Sequence, residues 1–271
     1  MGMLRFAYAG SSHVGLVREN NEDSGFSGPY LQLVADGVGG AAAGEVASAT
    51  TTYVMSALAA GGPGDDLPAL LASAVQTAHV QLAVGVERDP SRLGMATTLT
   101  AVLTAGDRSA IAHLGDSRAF LLREGRLTQL TDDHTFVQSL VDEGRLTRDQ
   151  VASHPYRSVV LKSLDGEHRP EPDVLSLDLR PGDRLLLCSD GLTDFVPEDR
   201  IRGPLGSLDR DDAVAGLVDA ALERGGRDNV TCLVADVEDG PVLCHDGTLL
   251  GAMRDPLLVV DPAAVRLGRP A

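Results

Sequence analysis

Cysteine is scarce in this chain, with Cys188, Cys232 and Cys244 the only three in 271 residues. Three thiols are too few for a disulfide framework. Cys188 and Cys232 sit in apolar runs and read as reduced core residues of a cytoplasmic protein. Basic residues are also short, 23 against 39 acids for a net charge of −16, and none of them cluster. A chain without a basic run has nothing to neutralise a phosphate backbone, which argues against nucleic acid as a partner. No apolar run approaches the roughly 20 residues needed to span a bilayer. The N-terminus offers Arg5 but no apolar stretch behind it, so no secretory signal and no membrane partner are expected. The histidines (His13, His79, His113, His134, His154, His168 and His245) show no metal-ligand spacing and read as structural or exposed. There is no internal repeat. With 43% hydrophobic and 23% charged residues, the composition is that of a globular protein with one large core.

Strand-like segments lie at Leu4–Ala9, Tyr30–Ala35, Thr97–Leu103, Ser109–Leu114, Arg118–Leu122, Val174–Leu179, Arg184–Cys188 and Val230–Val237. Glu124-Gly125 reads as a hairpin turn. Helices are expected over Glu45–Ala59 and Leu67–Val86, separated by the breaker Gly61-Gly62-Pro63-Gly64, and over Asp211–Arg224, closed by Gly225-Gly226. Residues 134–164 differ in texture, with helical spacing at Phe136, Val137, Leu140 and Val141 and a capping box at Thr147–Gln150. Strands, then paired helices, then further strands predict an α+β sandwich rather than alternating βαβ units. The segment from Asp239 onward, rich in proline, fits either an extra hairpin or an extended tail.

The chemistry lies in carboxylates at the ends of apolar runs. Leu31–Val34 leads through Ala35 into Asp36-Gly37, and Leu185–Cys188 into Ser189-Asp190-Gly191; Asp116 follows the 111–115 run, and Asp228 precedes Val230–Val237. Acids remote in sequence but similarly placed suit hard divalent cations, and the absence of nearby Cys/His clusters selects Mg²⁺ or Mn²⁺ over zinc. A carboxylate shared by two such ions, about 3.5–4 Å apart, would activate a bridging water for in-line attack on phosphorus. Asp36 is the choice for the shared ligand, with the Gly37 carbonyl turned inward beside it and Gly39 and Gly40 permitting a tight approach. Asp165-Gly166 and Asp246-Gly247 read as ordinary turns. Arg18 precedes the acids Glu22 and Asp23 in a polar loop that, on composition alone, is a solvated ion pair.

In order along the chain stand Gly15-x-x-Arg18-x-x-Asn21-Glu22-Asp23, Asp36-Gly37-x-Gly39-Gly40, Thr97-Thr98, Gly115-Asp116-Ser117-Arg118, Ser189-Asp190-Gly191 and Asp228-Asn229-Val230-Thr231. This ordered set resembles the metal-dependent type 2C (PPM) Ser/Thr protein phosphatases in their bacterial form, over roughly Phe6 to Val237. The resemblance implies a four-layer α-β-β-α sandwich, two antiparallel sheets flanked by helical pairs, with metals at one end. It implies a catalytic domain over residues 1–238, a flap at about 134–164 and a C-terminal extension over 239–271. By position, Asp36 bridges two Mn²⁺ or Mg²⁺ ions, the Gly37 carbonyl completes one, and Asp190 and Asp228 hold the other. Glu22, Asp23 and Asn229 support the ligands and their waters, and Asp116 with Asp190 holds a third ion. Arg18 grips the substrate phosphate through its planar fork. The implied reaction is hydrolysis of phosphoserine and phosphothreonine by direct water attack. The implied partners are phosphoproteins made by Ser/Thr kinases, and the expected state is a cytoplasmic monomer. Where many members carry a histidine after the Asp-Gly, this chain has Val38, so the leaving oxygen is expected to draw its proton from a water near Asp116. The rival readings are a small-molecule phosphomonoesterase, a non-catalytic binding module built on the same fold, and a phosphatase of a partner-switching circuit.

Overall fold

The computed structural model describes residues 3–38, 43–61, 66–151, 153–242 and 246–265. Gly39, Gly40, the 62–64 part of the expected breaker, Cys244 and His245 lie outside the described residues. In chain order the strands are β1 (Leu4–His13), β2 (Asp23–Ser27), β3 (Leu31–Val38), β4 (Ala96–Thr97), β5 (Leu99–Ala105), β6 (Arg108–Leu114), β7 (Arg118–Arg123), β8 (Arg126–Gln129), β9 (Leu164–Asp165), β10 (Asp173–Leu177), β11 (Arg184–Cys188), β12 (Val230–Asp239) and β13 (Thr248–Gly251). The helices are α1 (Gly44–Ala60), α2 (Leu67–Arg88), α3 (Phe136–Asp142), α4 (Arg148–Val151), α5 (Asp190–Thr193), α6 (Glu198–Ser207) and α7 (Arg210–Glu223).

The strands form two antiparallel sheets, one in the order β1-β12-β11-β7-β8 and the other β10-β6-β5-β3-β2-β13, with β4 and β9 attached beside β3. Strand alternation separates the layers. In β11, Leu185 and Leu187 face the other sheet, while Leu186 and Cys188 face the layer of α6 and α7. In β5, Val102 enters the space between the sheets, and Leu99, Ala101 and Leu103 pack beneath α1 and α2. The four-layer sandwich is thus the arrangement that buries both faces of both sheets.

Helix α2 starts where the Asp66 carboxylate accepts the Ala69 N–H at 2.9 Å, with proline in its first turn. By length and composition it is long and apolar enough to cross a membrane, which corrects the expectation that no such segment exists. Here its stripe of Leu71, Ala74, Val75, Ala78 and Leu82 is buried in the core beneath it. Helix α7 is capped by Asp209 and ends at Gly225 and Gly226, both at positive φ. The turn expected at 124–125 forms, with Glu124 and Gly125 at positive φ. Of the capping box expected at Thr147–Gln150, the Gln150 Oε1 accepts the Thr147 N–H at 2.9 Å, while the Gln150 N–H bonds the Thr147 carbonyl rather than its hydroxyl.

Four corrections concern elements. The expected Thr97–Leu103 strand is broken at Thr98 into β4 and β5, because Thr98 turns to bond Asp36. The strand β2 was not expected, since Asp-Ser-Gly-Phe-Ser has poor β propensity, yet every residue of it is buried. Helix α6 contains Gly203, Pro204 and Gly206, which masked it. The segment after Asp239 forms neither a hairpin nor a free tail: β13 joins the edge of a sheet beside β2, and Leu258 to Pro262 return over α1 and α2 through bonds to Thr50, Tyr53 and Arg88.

Candidate active site

Asp36 lies where β3 changes partner. Its strand pairs with β5 at Leu31–Val34 and with β4 at Gly37–Val38, so the carboxylate stands over the gap between them. Thr98 fills that gap. Its hydroxyl accepts the Asp36 N–H at 2.9 Å, its own N–H donates to the Asp36 carbonyl at 2.8 Å, and its hydroxyl shares a 2.7 Å bond with Ser117. The Asp36 backbone is therefore held through both its N–H and its carbonyl. Gly37 is required by contact: a Cβ there would lie 2.5 Å from the Gly44 carbonyl at the start of α1.

Asp190 is the first residue of α5 rather than the last of a strand, a correction of one turn. Gly191 behind it packs so closely that a Cβ would come within 1.9 Å of the Asn229 carbonyl oxygen. Asn229 in turn clamps the Arg18 loop: its Oδ1 accepts the Glu22 N–H at 2.7 Å, and its Nδ2 donates to the Val14 and Asn20 carbonyls at 2.9 Å each. Gly15, at φ 83°, lets that loop lie against the Asp228 carbonyl. Arg18 then reaches Asp228, Nη2 to Oδ2 2.9 Å, a bond that raises the guanidinium's already high pKa. His13 serves the same loop by accepting the Gly15 N–H at 2.9 Å.

Asp23 is fully buried directly across from Asp36 in the β2–β3 pair. Its Oδ2 accepts the Ser189 and Thr231 hydroxyls at 2.8 and 2.7 Å, while its Oδ1 has no partner. Burial pushes its pKa up to about 6, with the charges of Asp228 and Glu22 adding to the rise. Burial also raises Asp116 to about 6, helped by Asp133 and Asp194. Asp36 and Asp190 are pushed well above the usual carboxylate range, first by burial and then by neighbouring carboxylates, and they share a side-chain hydrogen bond. Nearby cations only partly relieve this crowding: Arg118 opposes the rise at Asp116 but is bonded to Asp133 (2.6 Å), and Arg157 lies 3.8 Å from Asp194.

The structure thus brings Asp23, Asp36, Asp116, Asp190 and Asp228 into mutual electrostatic contact at one end of the sandwich, with Arg18 at the rim. Among the described residues, no three His, Cys, Asp or Glu side chains close into a ready-made metal cage. The donor set nonetheless fits divalent cations: every candidate is a hard oxygen, one buried carboxylate oxygen is orphaned, and burial beside other carboxylates disfavours the anions unless a cation compensates them. Sequence reasoning assigned no role to Thr98, Ser117, Ser189 or Thr231, whose hydroxyls hold the acids. All four lie inside the recognised motifs, and that was the available signal. Cys188 and Cys232, opposite one another in β11 and β12, are buried free thiols. Burial raises the Cys188 pKa to about 12, which leaves it inert as a nucleophile.

A family model for protein phosphatase 2C matches residues 10–232. The chain is 49% identical over 236 residues to the serine/threonine protein phosphatase PstP of Mycobacterium tuberculosis, covering 87% of this chain and 46% of PstP, so it spans about half the length of that relative. It is 34% identical over 232 residues to the serine/threonine phosphatase stp of Listeria welshimeri, covering 82% of this chain and 92% of that one. Among solved structures, the catalytic domain of PstP in complex with two manganese ions shares 46% identity at a TM-score of 0.81, over 87% of this chain and 100% of that one. A PPM Ser-Thr phosphatase of Mycobacterium smegmatis in complex with cacodylate shares 37% identity at a TM-score of 0.76, over 85% of this chain and 97% of that one.

Proposed function

The chain belongs to the protein phosphatase 2C family, and on that premise we propose that it is a Mn²⁺- or Mg²⁺-dependent protein serine/threonine phosphatase. The observation that carries the proposal is the meeting of Asp36, Asp116, Asp190 and Asp228 beside the Arg18 guanidinium. Asp36, the Gly37 carbonyl, Asp190 and Asp228 would hold two divalent ions, and Asp116 with Asp190 a third. Such ions supply Lewis acidity and lower the pKa of bound water.

The rest is done by the chain's own residues. Arg18 orients the phosphate: its fork offers parallel N–H donors to two phosphoryl oxygens, and its bond to Asp228 fixes its angle. Asp23, Glu22 and Asn229 set the positions of the ligands from behind, through the Ser189, Thr231 and backbone bonds. Thr98, itself bonded to Ser117, fixes the Asp36 backbone at the cluster. Val38 has no proton to give, so protonation of the leaving alkoxide falls to a water held by Asp116. The proposed substrates are phosphoserine and phosphothreonine proteins made by Ser/Thr kinases, and the proposed setting is a cytoplasmic monomer. The test is hydrolysis of a phosphothreonine peptide with Mn²⁺, before and after chelation. Turnover should fall to background on chelation and return when Mn²⁺ is added back; turnover that survives chelation refutes the reading.

A further inference from the structure

The space at the acid cluster continues into a groove. A cleft of about 570 Å³ has Asp116 and Asp190 at one end and runs past Arg118 to Arg126, Leu127 and Gln129 of β8. Its opposite wall is the 134–164 segment, through Val137, Arg148 and Val151. A second depression, about 440 Å³, shares Arg126, Leu127 and Glu198 with the first and carries the groove on to the Glu124-Gly125 hairpin tip. One side of this groove is therefore the edge of a sheet. Among the described residues β8 pairs only with β7.

The register says which backbone groups that edge offers. Glu124 at φ 52° and Gly125 at φ 75° make a two-residue primed turn, so Arg123 and Arg126 are the hydrogen-bonded pair that closes it. Bonded and non-bonded pairs alternate in an antiparallel ladder. The Leu130 N–H, donating to the Ala119 carbonyl at 2.7 Å, is in phase with that alternation. The N–H and C=O groups of Leu127 and Gln129 therefore point away from β7, on the side open to a further strand.

The charges agree with a polypeptide occupant. Arg118 and Arg157 pair with Asp133 and Asp194, whereas among the described residues Arg126 and Arg148 have no carboxylate within ion-pair distance, although Glu124, Glu198 and Asp199 line the same depression as Arg126. Arg126 sits opposite Arg123, about five residues or 17 Å along the strand direction from Arg118 at the acid end.

We propose that the substrate segment flanking the phosphorylated residue binds as an added strand on the outer edge of β8, with Arg126 selecting an acidic side chain about five residues from the phosphate. This rests on the phosphatase reading and adds to it how the flanking chain is held. Main-chain bonds to Leu127 and Gln129 give affinity without regard to sequence, and Arg126 gives preference.

The probe is a fluorescent peptide carrying a non-hydrolysable phosphonate in place of phosphothreonine, with binding read by anisotropy. Backbone N-methylation, moved one residue at a time, should weaken binding about tenfold at alternate positions and leave the intervening ones unchanged. An Asp about five residues from the phosphonate should bind several-fold tighter than Lys at that place, and Arg126→Glu should invert the preference. Equal losses at every position, no losses, or an unchanged preference in the variant would overturn the proposal. Turnover of p-nitrophenyl phosphate by the wild type is measured alongside. Its absence with the alternation intact would sink the phosphatase reading and leave the docking edge standing; its presence without alternation does the reverse.

Discussion

At the scale of single residues, the site is a problem of anionic crowding. Five aspartates stand in a setting where burial already disfavours ionisation and neighbouring charges add to it, and Arg18 at the rim is bound to one of them. The ligand candidates were legible because an Asp-Gly after an apolar run has a physical signature. The hydroxyls behind them were not, because a lone Ser or Thr in a strand looks the same whether or not it holds a carboxylate. Arg18→Lys keeps the charge but loses the fork, and should raise KM for a phosphopeptide about tenfold with a smaller effect on kcat, as steady-state kinetics would show. An unchanged KM would remove Arg18 from the phosphate. If a water at Asp116 protonates the leaving group, Asp116→Ala should slow an alkyl phosphate by about a hundredfold and an aryl phosphate far less, since phenolates scarcely need the proton. Equal slowing of both esters would reject that role.

Elements carry the next level of the account. The apolar, alternating strands β5, β6, β11 and β12 and the long helices α1, α2 and α7 could be read from periodicity, since their apolar faces are the layers of the core. What escaped were pieces whose local composition contradicts their state: β2, buried despite its Asp and Gly, and α6, helical despite Gly203, Pro204 and Gly206. In both, tertiary burial outweighs propensity. The shift of Asp190 from strand end to helix start has the same origin, since α5 turns so that Gly191 can rest against Asn229. Gly191→Ala would force that contact apart, displacing Asn229 and the loop it clamps. The variant should melt on the order of 5 °C lower and bind Mn²⁺ more weakly. A variant with wild-type Tm and wild-type Mn²⁺ affinity would show that this close packing does not position the site.

For the whole molecule, the two sheets act as a frame that brings together acids separated by as many as 205 positions, from Asp23 to Asp228. Fold class and family could be read from motif order, but the convergence itself appears only once β2, β3, α5 and the start of β12 share one end of the sandwich. This frame has a consequence for stability against pH. Asp23 and Asp116 titrate near 6 in the folded state, and Asp36 and Asp190 well above their unfolded range of about 3.9. The folded protein binds more protons than the unfolded one between those values, so the metal-free protein loses stability as pH rises through about 6. A cation competes for the same oxygens, so its stabilising effect grows over that interval. Melting curves with Mn²⁺ and with chelator should accordingly diverge as pH rises through about 6; a constant or shrinking gap would contradict the assignment.

The most direct test is an equilibrium titration of chelator-stripped protein with Mn²⁺, free ion being read by its electron paramagnetic resonance signal. Wild type should take up at least two ions per chain, and Asp36→Asn should lose the tight uptake while keeping its fold by circular dichroism. Equal uptake by wild type and a folded Asp36→Asn variant, or no uptake by wild type, would contradict the claim that these remote acids form one cation site.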